Sequence, residues 1–148
     1  MVFPSLPRPL VVLGLLGMAP QALCLAIVVS GGEDRWFALA AGCCYTAIIL
    51  SFLGGLWWMA GLLGGVRSGW FYALAVAPSL IGWAALLPWC VGWRWPDPAL
   101  VVLGGALLAS PLVEVFLGRC VMLPAGWLKL RLIMATGLGG MTLVMAAV

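Results

Sequence analysis

Long apolar stretches alternate with short polar segments along the whole chain. Charged residues are rare, and the apolar stretches between them cover residues 9–30, 36–63, 70–91, 98–117 and 125–148. Each stretch has about 20 residues or more, which is the length that a helix needs to cross a hydrocarbon core of roughly 30 Å. The connecting segments "GGEDR", "GGVRSG" and "GWRWPD" contain the glycine, proline and polar residues that turns require. The pattern therefore predicts five transmembrane helices.

Composition agrees with this pattern. Of 148 residues, 66% are hydrophobic and 7% are charged, and the mean hydropathy is +1.23, far outside the range of soluble globular proteins. Helices are expected rather than a barrel, because short spans cannot close a barrel and each helix satisfies its own backbone. Since the apolar stretches use nearly every residue, we expect a single domain over residues 1–148. The predicted fold class is all-α, an integral membrane bundle of five transmembrane helices.

Basic residues are divided unevenly between the two ends of the predicted helices. One end collects Arg8, Arg67, Arg119, Lys129 and Arg131, while the other has Arg35 and Arg94 beside the acidic residues Glu33, Asp34 and Asp97. The positive-inside rule predicts that the richer end is cytoplasmic, which places the N-terminus in the cytoplasm and the C-terminus outside. A bacterial-type inner (plasma) membrane is the expected location. The net charge of +3 then reflects topology and contact with anionic headgroups, so the expected partner is the lipid bilayer and not a nucleic acid.

The first apolar stretch is expected to be a retained helix. Its length of about 20 residues exceeds the roughly 7 to 15 residues of a signal-peptide core, and Arg8 is the basic residue that precedes it. A cleaved signal peptide is the weaker alternative.

The residue types needed for common catalytic and metal sites are scarce. The chain has no histidine, its five cysteines form no C-x-x-C pair, and its four acidic residues lie near span ends without a paired-carboxylate spacing. Histidine-dependent triads and the usual zinc or haem ligand sets are therefore missing. The sequence predicts a protein that is not an enzyme and that holds no metal or cofactor.

Small residues follow one side of the second predicted helix. At about 100° per residue, Ala47, Ser51, Gly54, Gly55 and Trp58 lie on a common face. Small residues four positions apart let helix backbones approach closely in lipid. This face, with its glycines, is therefore predicted to seat a neighbouring helix, as is the comparable pair Gly105 and Ala109.

Two tryptophans and two serines suggest a ligand pocket between the helices. Trp58 belongs to the small-residue face and is predicted to point into the bundle, and Trp83 is predicted to lie deep. With Ser51 and Ser79, these rings could line a pocket for a small hydrophobic molecule. The alternative is that the rings only fill space. The depth of Trp57 and Trp58 in the bilayer stays open, because the second apolar stretch is longer than one crossing requires.

Glu114 is the acidic residue that lies inside a predicted span. A carboxylate there is costly unless it is paired or reaches the interface, and the candidate partners are Arg119 and Arg131. A structural charge clamp is favoured over a functional carboxylate. The sequence does not decide between the two arginines.

Four segments resemble the motifs of one protein family. "YTAIILSFLGGLWWMAGL" (residues 45–62) resembles the pattern Y-G-A-V-I-L-S-F-L-G-G-x-H-W-G, and "LGLLGMAP", "APSLIGWAALL" and "PAGWLKLR" agree with further motifs in the same order. These motifs are those of the transmembrane-protein-69-like family, domain of unknown function 3429. The resemblance implies a small membrane protein of five spans and no stated activity. Trp57 stands where the pattern commonly has histidine, and Met59 where it has glycine.

Three classes of function follow. The favoured one is a non-catalytic membrane protein that packs with or assists a membrane complex, with another protein or a second copy as its partner. The alternative is a binder or carrier of a small hydrophobic ligand. An ion-coupled transporter is least favoured, because the spans carry one acidic residue and no evident inverted repeat.

Overall fold

The computed structural model describes residues 6–148, and that part of the chain is helical and contains no strand. Its helices are α1 (Arg8–Leu16), α2 (Ala19–Ser30), α3 (Arg35–Leu63), α4 (Gly69–Cys90), α5 (Asp97–Leu117) and α6 (Trp127–Ala147). When α1 and α2 are counted as one segment, the helices form five segments, and all five are long and apolar enough to cross a membrane. The all-α class and the five spans are confirmed. The first five residues of the predicted domain lie outside the described range.

The first span is divided into two helices, where the sequence predicts one. α1 ends at Leu16 and α2 begins at Ala19. Pro20 explains the break, because it has no N–H to donate to the carbonyl of Leu16 four residues earlier. The hydroxyl of Tyr45 on α3 donates to the carbonyl of Gly17, so one carbonyl at the break is satisfied by a neighbouring helix.

α3 is the central helix of the bundle. It packs against α2, α4, α5 and α6. Its buried residues recur every three or four positions, as one helix face requires; they are Ala38, Leu39, Gly42, Cys43, Thr46, Ala47, Leu50, Leu53, Gly54, Trp57 and Gly61. The long helix thus presents one continuous inner face to its neighbours.

Glycine permits close approach between α3 and α4. A Cβ atom added to Gly54 would collide with the carbonyl oxygen of Ala75, and one added to Gly82 would lie 3.2 Å from the carbonyl oxygen of Ala47. Backbones can come this near only where no side chain separates them. Ala47 and Gly54, both predicted to pack against a neighbouring helix, therefore lie at the contact between α3 and α4.

Glycine also permits close approach between the backbones of α5 and α6. A Cβ atom on Gly104 would lie 3.1 Å from the carbonyl oxygen of Gly139, and one on Gly139 would lie 3.0 Å from the carbonyl oxygen of Gly104. The reciprocal contact brings the two antiparallel helices together near their middles. This close crossing fixes the alignment of side chains farther along both helices.

Three residues that were predicted to contact a neighbouring helix lie instead on the outer faces of their helices. Gly55, Gly105 and Ala109 are exposed, and a Cβ atom added to either glycine would meet nothing within 4 Å. The inner face of α3 is centred near Leu50 and not near Ser51, a rotation of about 100°. On α5 the glycine in the contact is Gly104, one position before the predicted one.

Candidate functional site

Glu114 forms the centre of a buried polar cluster. Its side chain is 2% exposed, and its Oε1 atom accepts a hydrogen bond from Nε of Arg131 at 2.7 Å and one from Nε1 of Trp57 at 3.2 Å. Its Oε2 atom accepts a hydrogen bond from Nε1 of Trp127 at 3.2 Å. We call these four residues the Glu114 cluster. It ties α5 to α6 and to α3, and it supplies the partners that a buried carboxylate needs.

The structure decides between the two candidate arginines. Of the two candidates, Arg131 is the one that pairs with Glu114. Arg119 is exposed, and its guanidinium lies 5.9 Å from the ring centroid of Phe116. The prediction for Arg119 is wrong because this residue follows the end of α5, where its side chain leaves the bundle. Arg131 begins the second turn of α6 and faces the core.

Local backbone geometry brings Trp127 into the cluster. Gly126 precedes α6 with φ of 83°, a left-handed conformation that glycine adopts without steric cost. The chain therefore turns sharply into α6, and Trp127 at its first position directs its indole N–H to Glu114.

One hydrogen-bond donor of Arg131 is unsatisfied. It uses Nε for Glu114, while its Nη2 atom is buried and has no hydrogen-bond partner among residues 6–148. The residue as a whole is 5% exposed. A buried donor without an acceptor is costly, so this atom marks a place where a further acceptor would be favourable.

Arg131 also lines a cavity in the described part of the chain. The cavity has a volume of about 400 Å³ and lies between α1, α3 and α6; its lining comprises Leu10, Leu13, Gly14, Gly17, Ile49, Phe52, Leu53, Leu56, Trp127, Leu130, Arg131 and Met134. We call it the Arg131 cavity. Apart from the guanidinium and one indole, the lining side chains are hydrocarbon or thioether. The cavity therefore combines an apolar wall with one strong donor group.

The predicted tryptophan pocket does not form. Trp58 is 44% exposed and Trp83 is 62% exposed, so both rings lie on the outer surface of the bundle, and Ser51 is exposed as well. Trp58 instead contacts the ring of Tyr72 edge to face at 5.0 Å between centroids. The inward prediction for Trp58 and Ser51 fails because the inner face of α3 is rotated away from Ser51. Trp83 follows Gly82, which is a residue of α4 that contacts α3, so its own ring points outwards. Ser79 is half-buried on α4 and does not line the Arg131 cavity.

The inward-facing tryptophan of the pair is Trp57, which sequence reasoning missed. It is 7% exposed. Its signal was chemical: a buried indole N–H needs an acceptor, and Glu114 needs donors near the same end of the bundle. The positions of small residues along α3 carry no information about the hydrogen bond between Trp57 and Glu114.

A second buried polar group joins α2, α3 and α6. Nε2 of Gln21 donates to Oγ1 of Thr142 at 3.0 Å, and the hydroxyl oxygens of Thr46 and Thr142 are 3.2 Å apart. All three side chains are completely buried. Thr142 lies about 16 Å along α6 from Arg131, so this Gln21 cluster is well separated from the Glu114 cluster.

Comparison with known proteins gives one match. A family model described as "Protein of unknown function (DUF3429)" matches residues 6–147. The matched range includes all the helices of the described chain. Searches of the curated proteins and of the solved structures give no match.

Proposed function

The chain belongs to the DUF3429 family of proteins of unknown function, and we propose that it is a non-catalytic membrane protein that binds a small hydrophobic molecule in the Arg131 cavity. The observation that carries this proposal is the combination of volume and lining. A cavity of about 400 Å³ falls within the range of roughly 300–1,000 Å³ for small-molecule sites, and such sites are mostly apolar with a few placed polar groups. Arg131 supplies that polar group.

The wall that α1 contributes supports access from the bilayer. α1 has no buried residue and packs against α6, while the break at Gly17 and Met18 separates it from the better buried α2. Elements with few buried contacts are the ones that move at low cost. A molecule dissolved in the membrane can therefore reach the cavity beside α1 without disturbing the core.

Native mass spectrometry tests the proposal. Leu13, which is 68% exposed and lines the cavity, is replaced by tryptophan to fill the space; Leu112 on α5, which is 73% exposed and lies outside the lining, receives the same change as a control. After purification in mild detergent, we expect a repeated bound mass in the wild type and in L112W, and its loss in L13W. An empty wild-type protein across several detergents, or a bound mass that survives L13W, would contradict ligand binding.

Assembly with another membrane protein or a second copy is the second candidate. Gly55, Gly105 and Ala109, which do not pack inside the bundle, present small residues on its outer surface, where a neighbouring helix could approach closely. Gly55→Leu is then expected to remove a reproducible crosslink that the wild type forms in native membranes. Finding only free monomer would count against assembly.

Ion-coupled transport receives less support from the arrangement of polar groups. The Glu114 and Gln21 clusters are separated by about 16 Å, and the buried residues between them on α3 and α6 are apolar, namely Ala47, Leu50, Leu53, Gly54, Ala135, Leu138 and Gly139. On α5 the buried hydroxyl of Ser110 donates to the carbonyl of Leu107 in its own helix. A transport path needs polar groups or water along its length. The uneven basic residues support our proposal of a cytoplasmic N-terminus, an outer C-terminus and a bacterial-type inner membrane.

A further inference from the structure

We infer that the molecule in the Arg131 cavity is a neutral amphiphile whose carbonyl oxygen accepts a hydrogen bond from Nη2 of Arg131. This inference rests on the proposed ligand binding and adds the chemical class of the ligand. A fatty-acyl ester and an alkylated quinone both offer the required group, a carbonyl oxygen at the polar end of a hydrocarbon chain.

The first step is the state of the Arg131 guanidinium. Its Nε atom is engaged with Glu114 at 2.7 Å, and its Nη2 atom is buried without a partner among the described residues. Arg131 lines the cavity, and its Nη2 atom is covered by neighbouring atoms, so an acceptor held in the cavity satisfies that donor once a small shift of the lining side chains uncovers it. A hydrogen bond that involves a charged group is stronger than one between neutral groups.

The second step is charge. Glu114 already balances Arg131 inside the bundle, and two indole N–H groups also point to that carboxylate. A bound carboxylate or phosphate would add a second negative charge in a region of low dielectric, with no further cation in the cavity lining. A neutral carbonyl oxygen satisfies the donor without this cost.

The third step is the shape of the apolar wall. Along α6 the lining extends from Trp127 to Met134, which is about 10 Å of helix. Arg131 lies near the middle of this stretch, and its guanidinium shares Glu114 with the indole of Trp127 at the end of the span. Beyond Arg131, towards Met134, the α6 lining is apolar. A ligand therefore fits with its carbonyl near the membrane interface and its chain towards the middle of the bilayer, the direction that membrane lipids already have.

Binding of three probes with the same chain length tests the inference. Methyl dodecanoate offers a neutral carbonyl, dodecyl phosphate offers an anion, and dodecane offers neither. Each is measured by competition against radiolabelled methyl dodecanoate on the full-length protein immobilised in mild detergent. We expect the ester to bind about ten-fold or more tightly than the other two, the scale of one hydrogen bond to a charged donor.

Two variants separate the donor from its counter-charge. The double variant E114Q/R131M removes both charges together with the guanidinium donor, so the ester should fall to the affinity of dodecane. Glu114→Gln alone keeps Arg131 and removes the balancing negative charge. In that variant the preference should reverse, with dodecyl phosphate binding more tightly than the ester. Ratios between probes in one protein cancel differences in protein recovery.

The outcomes distinguish this inference from the proposed function. Equal binding of ester and dodecane, with both abolished by L13W, would overturn the carbonyl inference and leave ligand binding in place. Tighter binding of dodecyl phosphate by the wild type would also overturn it. Binding that L13W does not affect would overturn the proposed site itself. If the variants do not fold, the order of the three probes on the wild type still decides the matter.

The two sources of the carbonyl are distinguished by a second pair of probes. 1-Dodecanoylglycerol represents acyl esters, and a decyl-substituted benzoquinone represents membrane quinones. Tighter binding of one of them assigns the carbonyl to that class. If neither binds more tightly than dodecane, the carbonyl inference is wrong.

Discussion

At the scale of single residues, Trp57 and Trp58 show how one step along a helix separates two roles. Trp57 is 7% exposed and donates to Glu114, whereas Trp58 lies outside with 44% of its surface exposed. The two rings have the same chemistry, so the difference comes entirely from the direction of each position on α3. The pair is therefore a natural matched comparison.

Trp57→Phe is expected to destabilise the protein, while Trp58→Phe is expected to have little effect. The first change removes a buried hydrogen bond to a carboxylate, worth about 1–3 kcal/mol, and the second retains an aromatic ring against Tyr72. The measurement is the free energy of unfolding in a denaturing-detergent titration. Trp57→His, which keeps an N–H donor and matches the family pattern at this position, should recover part of the loss. Equal losses from both phenylalanine variants would contradict the assigned orientation.

The ion pair between Glu114 and Arg131 makes a second prediction. Glu114→Leu leaves a buried guanidinium without its counter-charge, and such a loss costs about 3–5 kcal/mol. The double variant E114L/R131L removes both charges and should recover most of that stability. Arg119→Leu, which changes an exposed arginine outside the pair, is the control and should stay within about 0.5 kcal/mol of the wild type. A double variant no better than E114L would show that the two residues do not act as a pair.

At the scale of helices, the sequence predicts where the membrane-spanning segments lie, but it does not predict which face of each helix points into the bundle. Span lengths are set by the bilayer, so a run of apolar residues is enough to locate α3 or α5. The direction of a helix face is set by its neighbours, and in a chain that is apolar on all sides the usual contrast between polar and apolar faces is lost. Gly54 and Gly55 are equally small, and only the position of Ala75 on α4 decides which of them is needed. Pro20 accounts for the break before α2, but a proline alone does not identify Tyr45 as the donor to the carbonyl of Gly17.

These neighbouring glycines provide the third prediction. Gly54→Ala places a Cβ atom against the carbonyl of Ala75, a backbone group that cannot move aside, and we expect a loss of about 1–3 kcal/mol from overpacking. Gly55→Ala meets open space and should raise stability by up to about 1 kcal/mol, because alanine favours the helix. Unfolding of both variants under the same conditions gives the comparison. Loss of stability in G55A alone would reverse the assigned packing face.

At the scale of the whole molecule, five spans place the N-terminal and C-terminal ends of the helical bundle's chain on opposite sides of the membrane. The Glu114 cluster and the polar end of the Arg131 cavity lie towards the end where α5 finishes and α6 begins. The basic residues predict that this end faces the cytoplasm. Orientation therefore also determines the leaflet from which a ligand would enter, which neither the fold nor the family assigns.

Two native cysteines test the orientation directly. Cys90 is the last residue of α4 and Cys120 follows α5, so one helix length separates them across the bundle, and both are exposed. With a cytoplasmic N-terminus, a membrane-impermeant maleimide added to intact cells should label Cys90 and spare Cys120, and permeabilisation should allow labelling of both. C90S and C120S identify the labelled site. The reverse labelling pattern would place the N-terminus outside, and the Arg131 cavity would then take its ligand from the outer leaflet.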